Sequence, residues 1–441
     1  MNRLIFLALT TLLSFLPSYP QSLSGSSTPV ADHHMHIWSL QASQLVTEPL
    51  PPKVQLPPDL DKLLRDKERL SQKRSVDAIK DLYTTDLVAL DAGVPMWRQG
   101  DTAIRYIAES TVMNTLFPSA FSINGTEGYI AGTEVSTDNA HTPLSNFLYV
   151  IRKGPDGKWR VAVESFTMNA PPVAAARSAE QLIAGMDAAG VRKAAVLSVA
   201  YWFGNPRRNV QDQYAKVRAE NDWVLEQASK FPGRLYPFFS FNPLSDYALA
   251  EIERCAKTGK FAGIKLHIGN GRVDVLDPEH VAKLKAVFAA ANKYKFPIVI
   301  HLWTSDPKYG APHSKAFLEQ VLPAAPDIPI QIAHMAATGP GYTSDDAMAV
   351  FADAAERHDP RMKNVYFDVA SDVIATSPQS VLDIVAKRLR QVGMDHVLFG
   401  SDWSPGSSNE DPGLAWRSFR RLPLTEAEFR TVANNVAPWL R

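Results

Sequence analysis

From Ser178 onward the chain alternates short apolar runs with longer amphipathic segments, and this alternation restricts its fold more than any other feature. Ser178 and Gln181 form a capping-box pair that opens a helix to Ala189, and Gly190 ends it. Apolar strands follow at Ala194–Val199, Leu235–Phe241, Gly263–Ile268, Pro297–Leu302, Ile328–His334, Asn364–Val369 and His396–Ser401. Between them lie helical segments at Asn221–Lys230, Ala248–Thr258, Val281–Tyr294, Lys315–Leu322, Asp345–Arg357 and Ser380–Gln391. A repeated strand–helix unit builds a parallel sheet, because each strand can return to the same edge only through a crossover. With an N-terminal strand at Asp32–Ile37 the count reaches eight, the number that closes into an α/β (β/α)8 TIM barrel.

The late strands share a second regularity. Each ends in a functional side chain: His267, His301, His334, Asp368 and Asp402, spaced by 34, 33, 34 and 34 residues. One such group per unit, at the C-terminal end of its strand, is where a (β/α)8 barrel carries its active site. The first strand contributes Asp32-x-His34-x-His36. Residues two apart on a strand share a face, so both imidazoles point the same way. His34, His36, His301 and Asp402 together make a donor set for one divalent metal, zinc by donor type, with manganese or iron as alternatives. His334 is read as a catalytic side chain beside the metal, in preference to a further ligand. Asp368 fits direct chemistry and support behind the ligands equally. In Gly263–Ile268, Ile264 and Leu266 suit the helix side, which turns Lys265 and His267 inward. Lys265 could carry a carbamate between two metals, anchor a substrate carboxylate or sit in a buried ion pair. The last two readings and a single metal are preferred. Trp303 and Trp403 join Lys265 and His267 as expected substrate-site residues.

The remaining numbers set bounds. Lys plus Arg and Asp plus Glu are both 46, so the formal charge is zero, which argues against a nucleic-acid or acidic-membrane partner. Cys255 is the only cysteine, which excludes an intrachain disulfide and a Cys-rich metal site. Arg3 followed by apolar Leu4–Leu16 reads as a signal peptide within residues 1–25, giving an exported, periplasmic or secreted protein. The expected partners are a small-molecule substrate and no membrane after cleavage, with a homodimer left open.

Residues 28–48 hold the first barrel strand and loop, residues 58–170 an insertion, and residues 173–441 the rest of the barrel. Pro49, Pro51, Pro52 and Pro57 lead into the insertion, which starts at Pro58, and Pro171-Pro172 follow it. Leu60, Leu63, Leu64, Leu70, Ile79 and Leu82 recur at helical spacing, and the later part turns to strands. The segments flanking Gly154–Gly157 read as a hairpin, with Asp156-Gly157 as its turn signal. Helix followed by antiparallel strands predicts an α+β unit. The runs Tyr83–Asp91, Gly128–Thr133 and Lys158–Val161 resemble the SnoaL-like domain, a nuclear-transport-factor-2-like cone. That resemblance implies a curved sheet wrapped by helices, serving as a lid, packing or dimerisation module.

The wider set of motifs, Asp32-x-His34-x-His36, Gly263–His267 with Lys265, His301, His334 and Gly400–Trp403, resembles the amidohydrolase superfamily in its amidohydrolase-related branch. The resemblance implies metal binding by His34, His36, His301 and Asp402, with His334 beside the metal. It implies a metal-dependent hydrolase in which activated water attacks an ester, lactone or amide carbonyl, Asp402 takes the water proton and His334 assists. The alternative within the branch is non-oxidative decarboxylation of an aromatic or enoic acid. A non-catalytic small-molecule-binding protein is the alternative of another class.

Overall fold

The computed structural model describes residues 27–46, 53–91, 98–110, 115–135, 143–167, 175–304, 306–405, 407 and 409–440. The signal-peptide reading and Pro49, Pro51, Pro52, Pro171 and Pro172 fall outside these residues.

Eight strands form one parallel sheet in chain order: β1 (Ala31–His36), then β8 (Lys193–Leu197), β9 (Leu235–Ser240), β10 (Gly263–His267), β11 (Ile298–His301), β12 (Ile330–Ile332), β13 (Val365–Asp368) and β14 (Val397–Leu398). Consecutive strands are neighbours because each helical crossover returns the chain to the adjacent position. The seam is closed by backbone bonds: His33 N–H donates to Phe399 O at 2.9 Å and Asp402 N–H to His34 O at 2.8 Å. Gly400 permits this approach, since a Cβ there would lie 2.9 Å from the Cβ of His34. The expected (β/α)8 barrel is therefore the observed one.

Several boundaries differ from the sequence reading, each for a local reason. The strand expected to reach His334 stops at Ile332, because His334, Met335 and Ala336 take left-handed backbone with φ of 53°, 46° and 61°. Such conformations cost non-glycine residues about 1–2 kcal/mol each, so neighbouring bonds must hold them. The strand expected at His396–Ser401 keeps only Val397–Leu398 as regular ladder. Beyond it the chain turns to bond β1 across the seam. The helix expected from Asn221 begins at Gln213, in a stretch whose polar residues hide the periodicity. The capping box at Ser178 and Gln181 is present, and Gly190 ends that helix at φ 74°.

Alternation along the strands builds two different cores. Ile264, Leu266, Ile298, Ile300, Ile330 and Ile332 face outward and pack under helix residues such as Leu284, Phe288, Phe317 and Phe351. Inside the barrel Ala31, Ala195, Leu197, Phe238 and Val299 form an apolar plug with Leu440. His33 ties the C-terminal segment to this end: Nδ1 donates to Phe399 O and Nε2 accepts from Ala437 N–H at 3.1 Å. With one end filled by apolar groups and chain terminus, the polar strand ends are gathered at the other.

The insertion has its own sheet: β2 (Tyr83–Asp91), β3 (Arg98–Gln99), β4 (Thr115–Asn124), β5 (Glu127–Val135), β6 (Pro143–Lys153) and β7 (Trp159–Thr167), in the order β3-β2-β7-β6-β5-β4. The predicted hairpin joins β6 to β7, with Gly157 at φ 77° in its turn. Helices Pro58–Ser71 and Gly100–Ser110 contribute Leu60, Leu63, Leu64, Ile104 and Ile107 to one apolar core with Ile130, Tyr149 and Val161. Inside that core Lys67 donates to the Tyr83 hydroxyl at 2.6 Å and pairs with Glu164 at 2.9 Å. A buried pair tolerates loss of both charges better than loss of one. Lys67→Met alone is expected to destabilise the insertion by about 3–5 kcal/mol, and Lys67→Met with Glu164→Leu by much less. Denaturant unfolding of the full chain, followed by the tryptophan signal, checks this; equal losses in the single and double variants would contradict it.

Candidate metal centre

His34 and His36 leave β1 on the inner face, as their two-residue spacing requires. Each ring is fixed through its Nδ1. His36 Nδ1 donates to Leu197 O at 2.9 Å, and His34 Nδ1 donates to Asp368 Oδ2 at 3.0 Å. A carbonyl only accepts, so the His36 proton sits on Nδ1 and its Nε2 carries a lone pair; the Asp368 carboxylate sets the same tautomer in His34. Both Nε2 atoms lie 3.4 Å from Asp402 Oδ1. Asp402 is aimed by left-handed backbone at φ 55° and by Asn409, whose Nδ2 donates to Oδ2 at 3.0 Å and to the Asp402 carbonyl at 2.7 Å.

Two imidazole lone pairs and a carboxylate oxygen thus converge, with ligand atoms all within 4.8 Å of one another. Electron-pair donors at such range call for a cation; the Lys265 ammonium, 3.0 Å from His34 Nε2, supplies one, and a metal ion among the three would supply another. The donor chemistry, two imidazoles and a carboxylate with carboxylate and carbonyl support behind the rings, fits a divalent transition metal.

Electrostatics agree with this arrangement. Burial lowers His34 to about 3, and the Lys265 ammonium adds to the shift, so the ring is neutral at pH 7. Burial alone would raise Asp368 and Asp402. The neighbouring histidines outweigh it and hold both carboxyls well below the usual carboxylate range. Lys265 is buried within the barrel, with Nζ 3.0 Å from His34 Nε2, and burial pulls it down to about 8. Asp32, buried and raised to about 7 by desolvation, staples the seam: Oδ1 accepts from His34 N–H and Ser401 N–H.

The other expected residues lie at different distances from the three donors. A file of rings runs from His34 to His334 at 4.8 Å, His301 at 4.7 Å and His267 at 4.2 Å between successive centroids. His301 lies outside the group of three, and its buried Nε2 has no hydrogen-bond partner among the described residues. The sequence reading makes His301 a fourth ligand; in the structure it stands apart from the three converging donors. His334 Nδ1 donates to Ala370 O at 2.6 Å, which leaves Nε2 facing the cluster of rings. His267 Nδ1 accepts from Asn270 N–H at 3.2 Å and caps a short turn. Trp303 stands 6.3 Å from the His301 ring. Trp403 is a correction: its indole packs on Gly185 of the helix layer, where a Cβ would lie 2.4 Å from the ring, so it does not line the mouth. The backbone turns left-handed at Asp402, and Trp403 then follows Met35 and Ile37 to the outer face.

Sequence reasoning missed Gln331 and Asn409. Gln331 Nε2 donates to Asp368 Oδ2 at 2.5 Å and to His33 O at 3.1 Å. Its signal was available: a polar residue between Ile330 and Ile332 must point into the barrel. Asn409 lies in a loop after the last strand, where no periodicity marks it.

The amidohydrolase family model matches residues 31–435. The chain belongs to the amidohydrolase family. Among solved structures, this amidohydrolase is similar to the IDCase of Metarhizium anisopliae at 14% identity, over 93% of this chain and 97% of that one, with a TM-score of 0.49. A 5-carboxyvanillate decarboxylase from Sphingomonas paucimobilis is 16% identical over 57% of this chain and 79% of that one, with a TM-score of 0.41. A probable 2-pyrone-4,6-dicarboxylic acid hydrolase from Acinetobacter baumannii is 15% identical over 60% of this chain and 88% of that one, with a TM-score of 0.40. No curated protein matches the sequence.

The Asp368 carboxylate orients His34, one of the three candidate donors, without belonging to that group. Asp368→Asn is expected to weaken metal affinity by about 10–100-fold, read by calorimetric titration with manganese. Wild-type affinity in that variant would contradict the assigned role.

Proposed function

We propose that this amidohydrolase hydrolyses an ester, lactone or amide bond of a small molecule at a single divalent metal held by His34, His36, His301 and Asp402. The observation that carries this reading is the convergence of both Nε2 lone pairs on Asp402 Oδ1 at 3.4 Å. A metal bound there supplies acidified water, with a pKa brought towards about 7, and a polarised carbonyl. Asn409 Nδ2 donates to Oδ2 at 3.0 Å and orients the Asp402 carboxylate, which would hold the metal through Oδ1 and take the proton of the attacking water through its other oxygen. His334, pinned through Nδ1, offers Nε2 to pass a proton to the leaving oxygen or nitrogen. The apolar plug below the site and the seam stapled by Asp32 keep these groups rigid.

Lys265 favours a second reading. A buried ammonium beside His34 Nε2 is suited to a substrate carboxylate, and the same centre would then release carbon dioxide from an aromatic or enoic acid. The insertion, which enters after β1 and the helix Leu40–Val46, is read as a SnoaL-like cone that serves as a lid or packing module. Zinc remains the metal assigned by donor type, with manganese or iron as the alternatives.

Product analysis in 18O-labelled water separates the two reactions. The metal-loaded chain is incubated with a panel of esters, lactones, amides and aromatic acids. Hydrolysis places 18O in the product acid; carbon dioxide release without label in the organic product would overturn it. Asp402→Asn is expected to lower kcat by about 10³-fold or more while the circular dichroism spectrum is unchanged, since metal donor and proton acceptor are lost together. Near-normal turnover in that variant would remove Asp402 from the mechanism.

A further inference from the structure

His267 ends β10 and stands beside the end of β11, in register with His301. Its hydrogen bonding sets it apart from the other rings of the file. Nδ1 accepts from the backbone N–H of Asn270 at 3.2 Å, the ring's one hydrogen bond among the described residues. A backbone N–H only donates, so Nδ1 carries the lone pair. Burial holds the ring well below the usual imidazole range, with the Lys265 ammonium adding to the shift, so it is uncharged at pH 7. In a neutral imidazole whose Nδ1 accepts, the proton sits on Nε2. His34, His36 and His334 show the reverse pattern. Each donates through Nδ1, to a carboxylate or a carbonyl, and keeps its lone pair on Nε2. His267 thus presents an N–H where those three present an electron pair.

The turn that sets this tautomer is held on two sides. His267 caps the short helix Ile268–Gly271. The Asn270 side chain accepts from Asn205 Nδ2 at 3.0 Å, which ties the turn to the loop after β8. Gly269 lies against the loop after β11, where a Cβ would meet the Trp303 carbonyl oxygen at 3.1 Å. The His301 ring lies nearly parallel to that of His267, with 11° between planes and 4.2 Å between centroids. An N–H in its own ring plane cannot reach a nitrogen stacked above it, so His301 is no acceptor. Tyr201, buried, packs against the His267 ring at 5.0 Å. His267 is half-buried, with its Nδ1 edge under the turn and one face under His301, which leaves the Nε2 edge open. A donor fixed in place with no acceptor of its own selects a ligand that brings an oxygen.

We propose that the Nε2–H of His267 donates to the acyl oxygen of the substrate and holds that oxygen as it gains negative charge. The proton stays on His267 throughout. The hydrogen bond strengthens as charge builds, so the contact favours the transition state over the bound substrate. His267 is then a catalytic donor, distinct from the rings that offer lone pairs. This role rests on the proposed hydrolysis for the identity of the oxygen. The tautomer does not, since it follows from the Asn270 bond.

The first test is long-range 1H–15N correlation of the metal-free full chain, labelled with 15N-histidine, at mildly alkaline pH. The ring signals that vanish in His267→Gln are expected to show a protonated Nε2 and a bare Nδ1, and those that vanish in His334→Gln the reverse. A protonated Nδ1 in His267 would overturn the proposal. The second test titrates the zinc-loaded chain with phenylphosphonate, a tetrahedral anion that stands for the charged acyl oxygen. The wild type is expected to bind it about tenfold or more tightly than His267→Leu at equal zinc content, with His267→Gln between them. The His267 Nε2–H proton signal is expected to move downfield on binding. Equal affinities in the wild type and His267→Leu, or a proton signal that does not move, would remove the donor role. Where His267→Leu loses zinc, the proton signal of the wild type decides. A wild-type chain that takes up no zinc contradicts the metal centre instead. The titration is then run metal-free, where a moving Nε2–H signal supports the donor role and an unmoved one overturns it.

Discussion

The Asp368 carboxylate is the point on which the site depends. Its Oδ2 accepts from His34 Nδ1 and Gln331 Nε2, and its Oδ1 from the backbone N–H groups of His334 and Ala370. One buried anion thus orients the His34 ring and holds the left-handed turn that carries His334. It also joins the ends of β1, β12 and β13. Desolvating a carboxylate costs several kcal/mol, and these four donors together with the nearby histidines offset that cost. Without it, the His334 turn would lack the bond that offsets its unfavourable backbone.

The barrel was legible because its signals are periodic. Even spacing from His267 to Asp402 follows from one functional group per strand end, and the apolar alternation in Gly263–His267 set the inward face correctly. Non-periodic features were not legible. Trp403 is expected at the substrate site, but it packs with Met35 and Ile37 on the face opposite Asp402. Asn409 sits on a loop, where position depends on closure of the whole barrel. Tyr201 reads as an ordinary apolar residue until the fold lays its ring on His267. Gln331 is the one missed residue that alternation could have revealed.

The insertion shows the same division. Its helices and its hairpin followed from spacing and from Asp156-Gly157, and the structure places them in a separate α+β unit with its own apolar core. The Lys67–Glu164 pair inside that core was not visible, because the two residues are far apart in sequence and each lies in a segment that reads as amphipathic. A charged pair in the interior of a helix-and-sheet layer fixes which helix face packs on which strand, at a cost in stability relative to an apolar equivalent.

The central claim is that His34, His36 and Asp402 converge because they bind a metal. Anomalous scattering from crystals of the manganese-loaded protein tests it most directly. The expected result is a single strong peak among His34 Nε2, His36 Nε2 and Asp402 Oδ1, with the His301 ring turned towards it. Absence of a peak at that position, or a peak held by other residues, would contradict the assignment.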